Sequence, residues 1–62
     1  MNFSTWQKMD PHLLVGLVNT ELRNHSESLD DFSKTHNIDL DQLNEKLAAA
    51  GYEFVESQRQ YR

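Results

Sequence analysis

Apolar residues in the first half of the chain recur with the 3.6-residue period of an α-helix. The stripe consists of Leu14, Leu17, Val18 and Leu22, and it is widened by Leu13 and Val15. Asp10 and Pro11 precede it and favour a helix start, because aspartate accepts free N–H groups of the first turn and proline has the φ angle of a first helical residue. The pattern predicts a helix from Pro11 to about Asn24. Gly16 inside it costs about 1 kcal/mol relative to alanine, so either another backbone packs there or the cost is tolerated.

Two further helices are each introduced by a capping signal. Ser28 and Asp31 occupy the two side-chain positions of a capping box, and Asp39 and Gln42 occupy those of another. The second helix should end just before Asn37, because asparagine tolerates the left-handed conformation that terminates helices. The third should continue through the alanines at positions 48–50.

Gly51 is predicted to end the third helix with a positive φ angle. Tyr52 would then pack on Leu47, which is the apolar contact that accompanies a Schellman turn. Residues 52–55 are β-like in composition. A hairpin that turns near residues 56–57 is one alternative for the C-terminus, although it lacks the Asn-Gly or Asp-Gly that tight hairpins prefer.

The chain of 62 residues is predicted to be one mainly α-helical domain, residues 1–62. It should contain three helices near residues 11–24, 28–36 and 39–50, followed by a short C-terminal β-strand or hairpin. Most of the aromatic residues lie outside these helices, so we expect both terminal segments to fold back onto them. The predicted core comprises Leu14, Leu17, Val18, Leu22, Leu29, Phe32, Ile38, Leu43, Leu47, Tyr52 and Phe54, with Trp6 joining it.

Residues 28–51 resemble a helix-turn-helix unit, with a short helix, a turn at Asn37 and Ile38, and a longer capped helix. Ser33 supplies the small residue needed where such helices cross. With the strand-like C-terminus, the arrangement is similar to a miniature winged helix. In that geometry the start of the third helix enters the DNA major groove. Here it carries Asp39 and Asp41, which oppose binding to phosphates.

A longer set of residues carries a resemblance over nearly the whole chain. It comprises Asp10-Pro11 with Leu13-Leu14, Val18-Asn19, Leu22-Arg23, Ser28-Leu29-Asp30-Asp31, Ile38-Asp39, Leu43, Leu47, Gly51-Tyr52-Glu53-Phe54 and Gln60-Tyr61. In these positions the chain resembles a family of short bacterial proteins catalogued only as a domain of unknown function. The resemblance implies a complete small protein and supplies no activity, substrate or site residues.

Ten acidic and six basic residues give a net charge of −4. The excess lies in the middle of the chain, where only Lys34 and Lys46 oppose Glu27, Asp30, Asp31, Asp39, Asp41 and Glu45. This charge disfavours DNA, RNA and anionic lipid as partners. No apolar run approaches the roughly 20 residues that span a bilayer, and the N-terminus lacks the pattern of a secretory signal. We therefore expect a cytoplasmic protein with no membrane contact.

The candidate chemistry is sparse. The chain has no cysteine, which excludes disulfides, thiolate metal sites and a thiol nucleophile. His12, His25 and His36 lack the compact spacing of zinc motifs. Ser26 or Ser28 with His25 and an acidic residue could be named as a catalytic triad, but residues adjacent in sequence need not converge in space. So short a chain also has little room for a water-excluding pocket. We expect no metal, no cofactor and no enzymatic activity.

These observations favour a small protein-interaction module with a protein partner of unknown identity. The candidate interaction surface comprises Trp6, Asp30, Asp31, Asp41 and Glu45. Trp6 has two alternatives, because it either anchors the partner or fills the thin core of its own chain. Self-association is a further expectation, since a second copy would cover residual apolar surface. The alternative function is a helix-turn-helix nucleic-acid-binding regulator.

Overall fold

The structure, a computed structural model, describes residues 3–25 and 28–62, which form three α-helices followed by a two-stranded hairpin. The elements in chain order are α1 (Pro11–Asn24), α2 (Leu29–His36), α3 (Leu40–Ala49), β1 (Phe54–Val55) and β2 (Gln60–Tyr61). A short 3-10 helix at Trp6–Lys8 precedes α1, and another at Glu56–Gln58 connects the two strands. The predicted mainly α fold is confirmed.

Each helix begins at its predicted cap. The side-chain oxygens of Asp10, Ser28 and Asp39 each accept a backbone N–H of the first turn. For Asp39 the donors are Asp41 at 2.9 Å and Gln42 at 3.3 Å. In a complete capping box the Gln42 side chain would accept the Asp39 N–H, but it accepts a hydrogen bond from Gln7 instead. The caps leave Ser28 and Asp39 just outside the helices they start, so α2 and α3 are slightly shorter than predicted.

Gly51 ends α3 with a φ angle of 94°, as predicted. The Tyr52 N–H donates to the Leu47 carbonyl at 2.9 Å, and the Gly51 N–H donates to the Ala48 carbonyl at 3.0 Å. These are the two hydrogen bonds of a Schellman turn. The chain reverses there and starts towards the hairpin.

Of the two predicted alternatives for the C-terminus, a single strand or a hairpin, the structure contains the hairpin. Its antiparallel register pairs Phe54 with Tyr61 and Val55 with Gln60. The strand starts at Phe54, two residues later than the β-like composition predicted. The turn uses a 3-10 helix followed by Arg59 in the left-handed conformation, with φ 51°.

One edge of the hairpin is covered by α1. Asn19 on α1 donates from Nδ2 to the Tyr61 carbonyl at 3.0 Å and accepts the Tyr61 N–H on Oδ1 at 2.8 Å. The asparagine amide therefore occupies the outer edge of β2, much as a neighbouring strand would.

The core lies between the three helices and the hairpin. Its buried apolar members are Phe3, Trp6, Leu14, Val15, Val18, Leu22, Phe32, Ile38, Leu43, Leu47 and Tyr61. Both terminal segments thus fold back onto the helices, as predicted. The structure corrects the predicted core in two respects. Leu17, Leu29, Tyr52 and Phe54 are only partly buried at its margin, and Phe3, Val15 and Tyr61, which were not in the predicted list, are buried in it.

Leu13 and Gly16 are exposed residues of α1 whose positions bear on the predictions. Leu13, predicted to widen the apolar stripe, is 58% exposed. Its position is about 140° around the helix from Val18, whose side chain is fully buried. Gly16 is also exposed, and nothing lies within 4 Å of where its Cβ would be. The helix therefore tolerates this glycine without a close backbone contact inside the molecule. No helix within the described ranges is both long and apolar enough to cross a membrane.

Candidate functional site

A shallow groove of about 530 Å³ lies between the N-terminal 3-10 helix and α3. We call it the Trp6 groove, and its lining residues are Trp6, Gln7, Gln42, Glu45, Lys46 and Ala49. The four α3 residues are spaced at i, i+3, i+4 and i+7, so they share one face of the helix. Two of the five predicted surface residues, Trp6 and Glu45, are therefore brought together.

Hydrogen bonds fasten the two walls of the groove to each other. Gln7 Nε2 donates to Gln42 Oε1 at 2.8 Å. Lys46 Nζ donates to the Gln7 carbonyl at 3.2 Å. Trp6, which also lines the groove, is only 8% exposed and belongs to the core. Of the two alternatives for Trp6, filling its own core is the principal role in this fold, and a small part of the residue remains accessible in the groove.

The carboxylate of Glu45 is the one charge of the groove without a bonded partner in the described part of the chain. Among the described residues Lys34 is ion-paired with Asp30, and His36 lies near Glu21. Glu45 takes part in neither contact. Asp41 lies one turn earlier on α3, is exposed, and does not line the groove.

The other predicted acidic residues lie on a different helix. Asp30 and Asp31 occupy the first turn of α2 and are exposed. Asp30 is 3.0 Å from Lys34 Nζ, and this hydrogen bond raises the pKa of the lysine. Neither residue lines the Trp6 groove. Glu27 lies outside the described residues.

A second cavity, of about 200 Å³, lies between α3 and the hairpin. We call it the hairpin pocket, and its lining residues are Asn44, Ala48, Tyr52, Glu53, Phe54 and Tyr61. The Tyr61 hydroxyl donates to Asn44 Oδ1, and burial raises the pKa of Tyr61 to about 12. The sequence analysis did not predict this pocket, although the predicted return of Tyr52 onto Leu47, with Phe54 in the core, was a signal for it.

A buried cluster joins the N-terminal segment to α1 and α2. His36 Nε2 lies 3.8 Å from Glu21 Oε1, and it has no hydrogen-bond partner among the described residues. The rings of Phe3 and Phe32 pack on the imidazole with centroid distances of 4.8 Å and 4.9 Å. Glu21 was not among the predicted core or site residues. The cluster is interior and forms part of the packing.

The histidines do not converge on a metal-binding arrangement. Within residues 3–25 and 28–62 no three side chains of histidine, aspartate or glutamate form a group that could hold a metal ion. His12 instead shares a hydrogen bond with the Tyr52 hydroxyl, 2.8 Å from its Nδ1. Ser26, named above beside His25, lies outside the described residues.

Comparison with known proteins gives one match. No curated protein and no solved structure matches the chain. The family model of DUF4250, described as a domain of unknown function, matches residues 8–61. This span contains all three helices and both strands, whereas Trp6 and Gln7 precede it. The chain belongs to the DUF4250 family.

Proposed function

We propose that the protein is a small interaction module that binds a segment of another protein in the Trp6 groove. The observation that carries the proposal is the Glu45 carboxylate, which is unpaired among the described residues and stands in a groove whose other polar groups bond to each other. A lysine or arginine of the partner fits this site. Its aliphatic stem would lie on Trp6 and Ala49, and its charge would meet Glu45.

The shape of the groove supports a polypeptide as the ligand. Small-molecule sites enclose most of their ligand, whereas this groove is shallow and would leave a small molecule in water. A peptide can instead gain contacts along its length, as in grooves that receive an amphipathic helix. The net charge of −4 favours the approach of a basic segment.

Affinity capture from the native cell extract tests the proposal. We would compare the wild-type chain with Ala49→Arg, which blocks the groove, and with Thr35→Arg, which adds the same charge to an exposed position of α2. The captured partner should be lost with Ala49→Arg and retained with Thr35→Arg. Equal capture by both variants would contradict the proposal.

The alternative function, a nucleic-acid-binding regulator, is favoured by the order of α2, turn and α3. The charges on α3 oppose it, because Asp39 and Asp41 stand at its start and Glu45 follows one turn later. The lysine of α3, Lys46, already donates to the Gln7 carbonyl. We rank this function second.

A further inference from the structure

The hairpin has one covered edge and one open edge. Glu53 and Arg62 exchange both backbone hydrogen bonds, at 2.9 Å and 2.8 Å. In an antiparallel ladder the next pair, Phe54 with Tyr61, must point its N–H and C=O groups outward. For Tyr61 these groups meet Asn19 of α1. The corresponding groups of Phe54 point to the opposite edge, where the two-stranded sheet has no further strand in the described chain.

The hairpin pocket adjoins this open edge. Its lining comes from α3, from residues 52–54 and from Tyr61, and none of it comes from α1, which lies along the other edge. Its volume of about 200 Å³ is below the roughly 300–1,000 Å³ of sites that enclose small molecules. The pocket suits a single side chain.

We propose that an extended peptide segment of a partner protein adds to β1 as a third strand and places one aliphatic side chain in the hairpin pocket. The peptide residue opposite Phe54 would exchange hydrogen bonds with its N–H and C=O groups. Because side chains alternate along a strand, that residue would point to the Phe54 face and its two neighbours to the Glu53 face. Backbone pairing gives the affinity, and the pocket selects the central residue.

Charge selects the flanking residues of the peptide. Glu53 and Glu56 flank β1 in the sequence and are exposed, and neither forms an ion pair in the part of the chain that the structure describes. Arg62 stands across from Glu53, but on the strand remote from that edge. A basic–aliphatic–basic segment would place one cation across from Glu53 and the other across from Val55, the residue before Glu56. A second copy of this chain would instead bring the acidic edges of both molecules together, which disfavours self-pairing.

This surface is separate from the Trp6 groove, so a test of one proposal does not test the other.

The probe for the third-strand proposal is the peptide acetyl-Thr-Lys-Ile-Lys-Thr-amide, titrated into the ¹⁵N-labelled protein. We expect saturable shifts of the backbone amide signals of residues 52–56 and of Ala48, with cross-peaks between the probe backbone and Phe54. The matched probe carries an N-methyl group on its isoleucine, which removes the donor to the Phe54 carbonyl. It should bind about tenfold more weakly.

Protein variants complete the test. Ala48→Leu fills the pocket and should weaken binding of the probe, whereas Thr35→Leu adds the same side chain on α2 and should leave binding unchanged. Equal affinity for the methylated and unmethylated probes would overturn the proposal, as would shifts confined to the Trp6 groove. Shifts of residues 52–56 that grow with protein concentration without peptide would identify a second copy as the occupant and would also overturn it.

Discussion

At the scale of single residues, the backbone conformation of Gly51 restricts which side chain can replace it. Its φ angle is 94°, yet nothing lies within 4 Å of its Cβ position, so the cost of a side chain comes from the backbone conformation alone. Gly51→Val should therefore lower the free energy of unfolding by more than about 1 kcal/mol. Ser57→Val, in the exposed hairpin turn, should lower it far less. Thermal melts at matched protein concentration measure the difference, and equal melting temperatures would contradict the role of Gly51.

Tyr61 should make stability depend on alkaline pH. Burial raises its pKa to about 12 in the folded protein, whereas an unfolded tyrosine titrates near 10. Below about pH 10 both states keep the proton, and between about pH 10 and 12 the unfolded state loses it first. The free energy of unfolding should fall across that window by up to about 1.4 kcal/mol per pH unit.

Urea unfolding of the wild type and of Tyr61→Phe, from about pH 9 to about pH 12, separates this effect from other titrations. The phenylalanine variant loses the hydrogen bond to Asn44 and should be less stable at the lower end. Because it has no hydroxyl to ionise at this position, the gap between the two proteins should narrow as the pH rises. A constant gap would show that Tyr61 does not contribute.

At the scale of elements, α3 depends on its cap. Asp39 accepts the N–H groups of Asp41 and Gln42, so Asp39→Ala should lower the free energy of unfolding by about 1 kcal/mol. Asp39→Ser should retain most of the stability because serine also caps helices. Asp41→Ala removes an acid from the same turn without removing the cap and is the matched control. Urea denaturation measures all three, and equal losses for Asp39→Ala and Asp41→Ala would contradict the capping role.

The helix limits could be predicted because their determinants are local. Asp10, Ser28, Asp39 and Gly51 each act on backbone groups within a few residues, and all four stand in the predicted positions of the structure. Even the strained Asn37, with a φ angle of 55°, follows from the tolerance of asparagine for that conformation.

The sites could be predicted only in part, because they depend on residues far apart in sequence. Asn19 meets the Tyr61 backbone across 42 positions, and no periodic pattern connects them. Trp6 lies on a 3-10 helix of three residues, which is too short to have a period, so its position beside Glu45 did not follow from the sequence. The predicted helix limits already divided the acidic residues between α2 and α3, but the sequence did not show that Glu45 alone among them lines the Trp6 groove.

At the scale of the whole molecule, the net charge of −4 and the acidic residues of α3 set the expectation for DNA binding, which separates the two proposed functions. Non-specific binding to duplex DNA comes almost entirely from phosphate contacts by basic side chains. The first two turns of α3 instead present the exposed acids Asp41 and Glu45. We expect a random-sequence duplex to bind more weakly than micromolar even at low salt. Two double variants make the same change of charge on different helices. One carries Asp41→Lys and Glu45→Lys on α3, and the other carries Asp30→Lys and Asp31→Lys on α2. If the wild-type protein bound the duplex with micromolar or tighter affinity, and this affinity fell steeply with salt, the nucleic-acid function would take first place. A larger increase in DNA affinity for the α3 variant than for the α2 variant would then identify α3 as the helix that contacts the DNA.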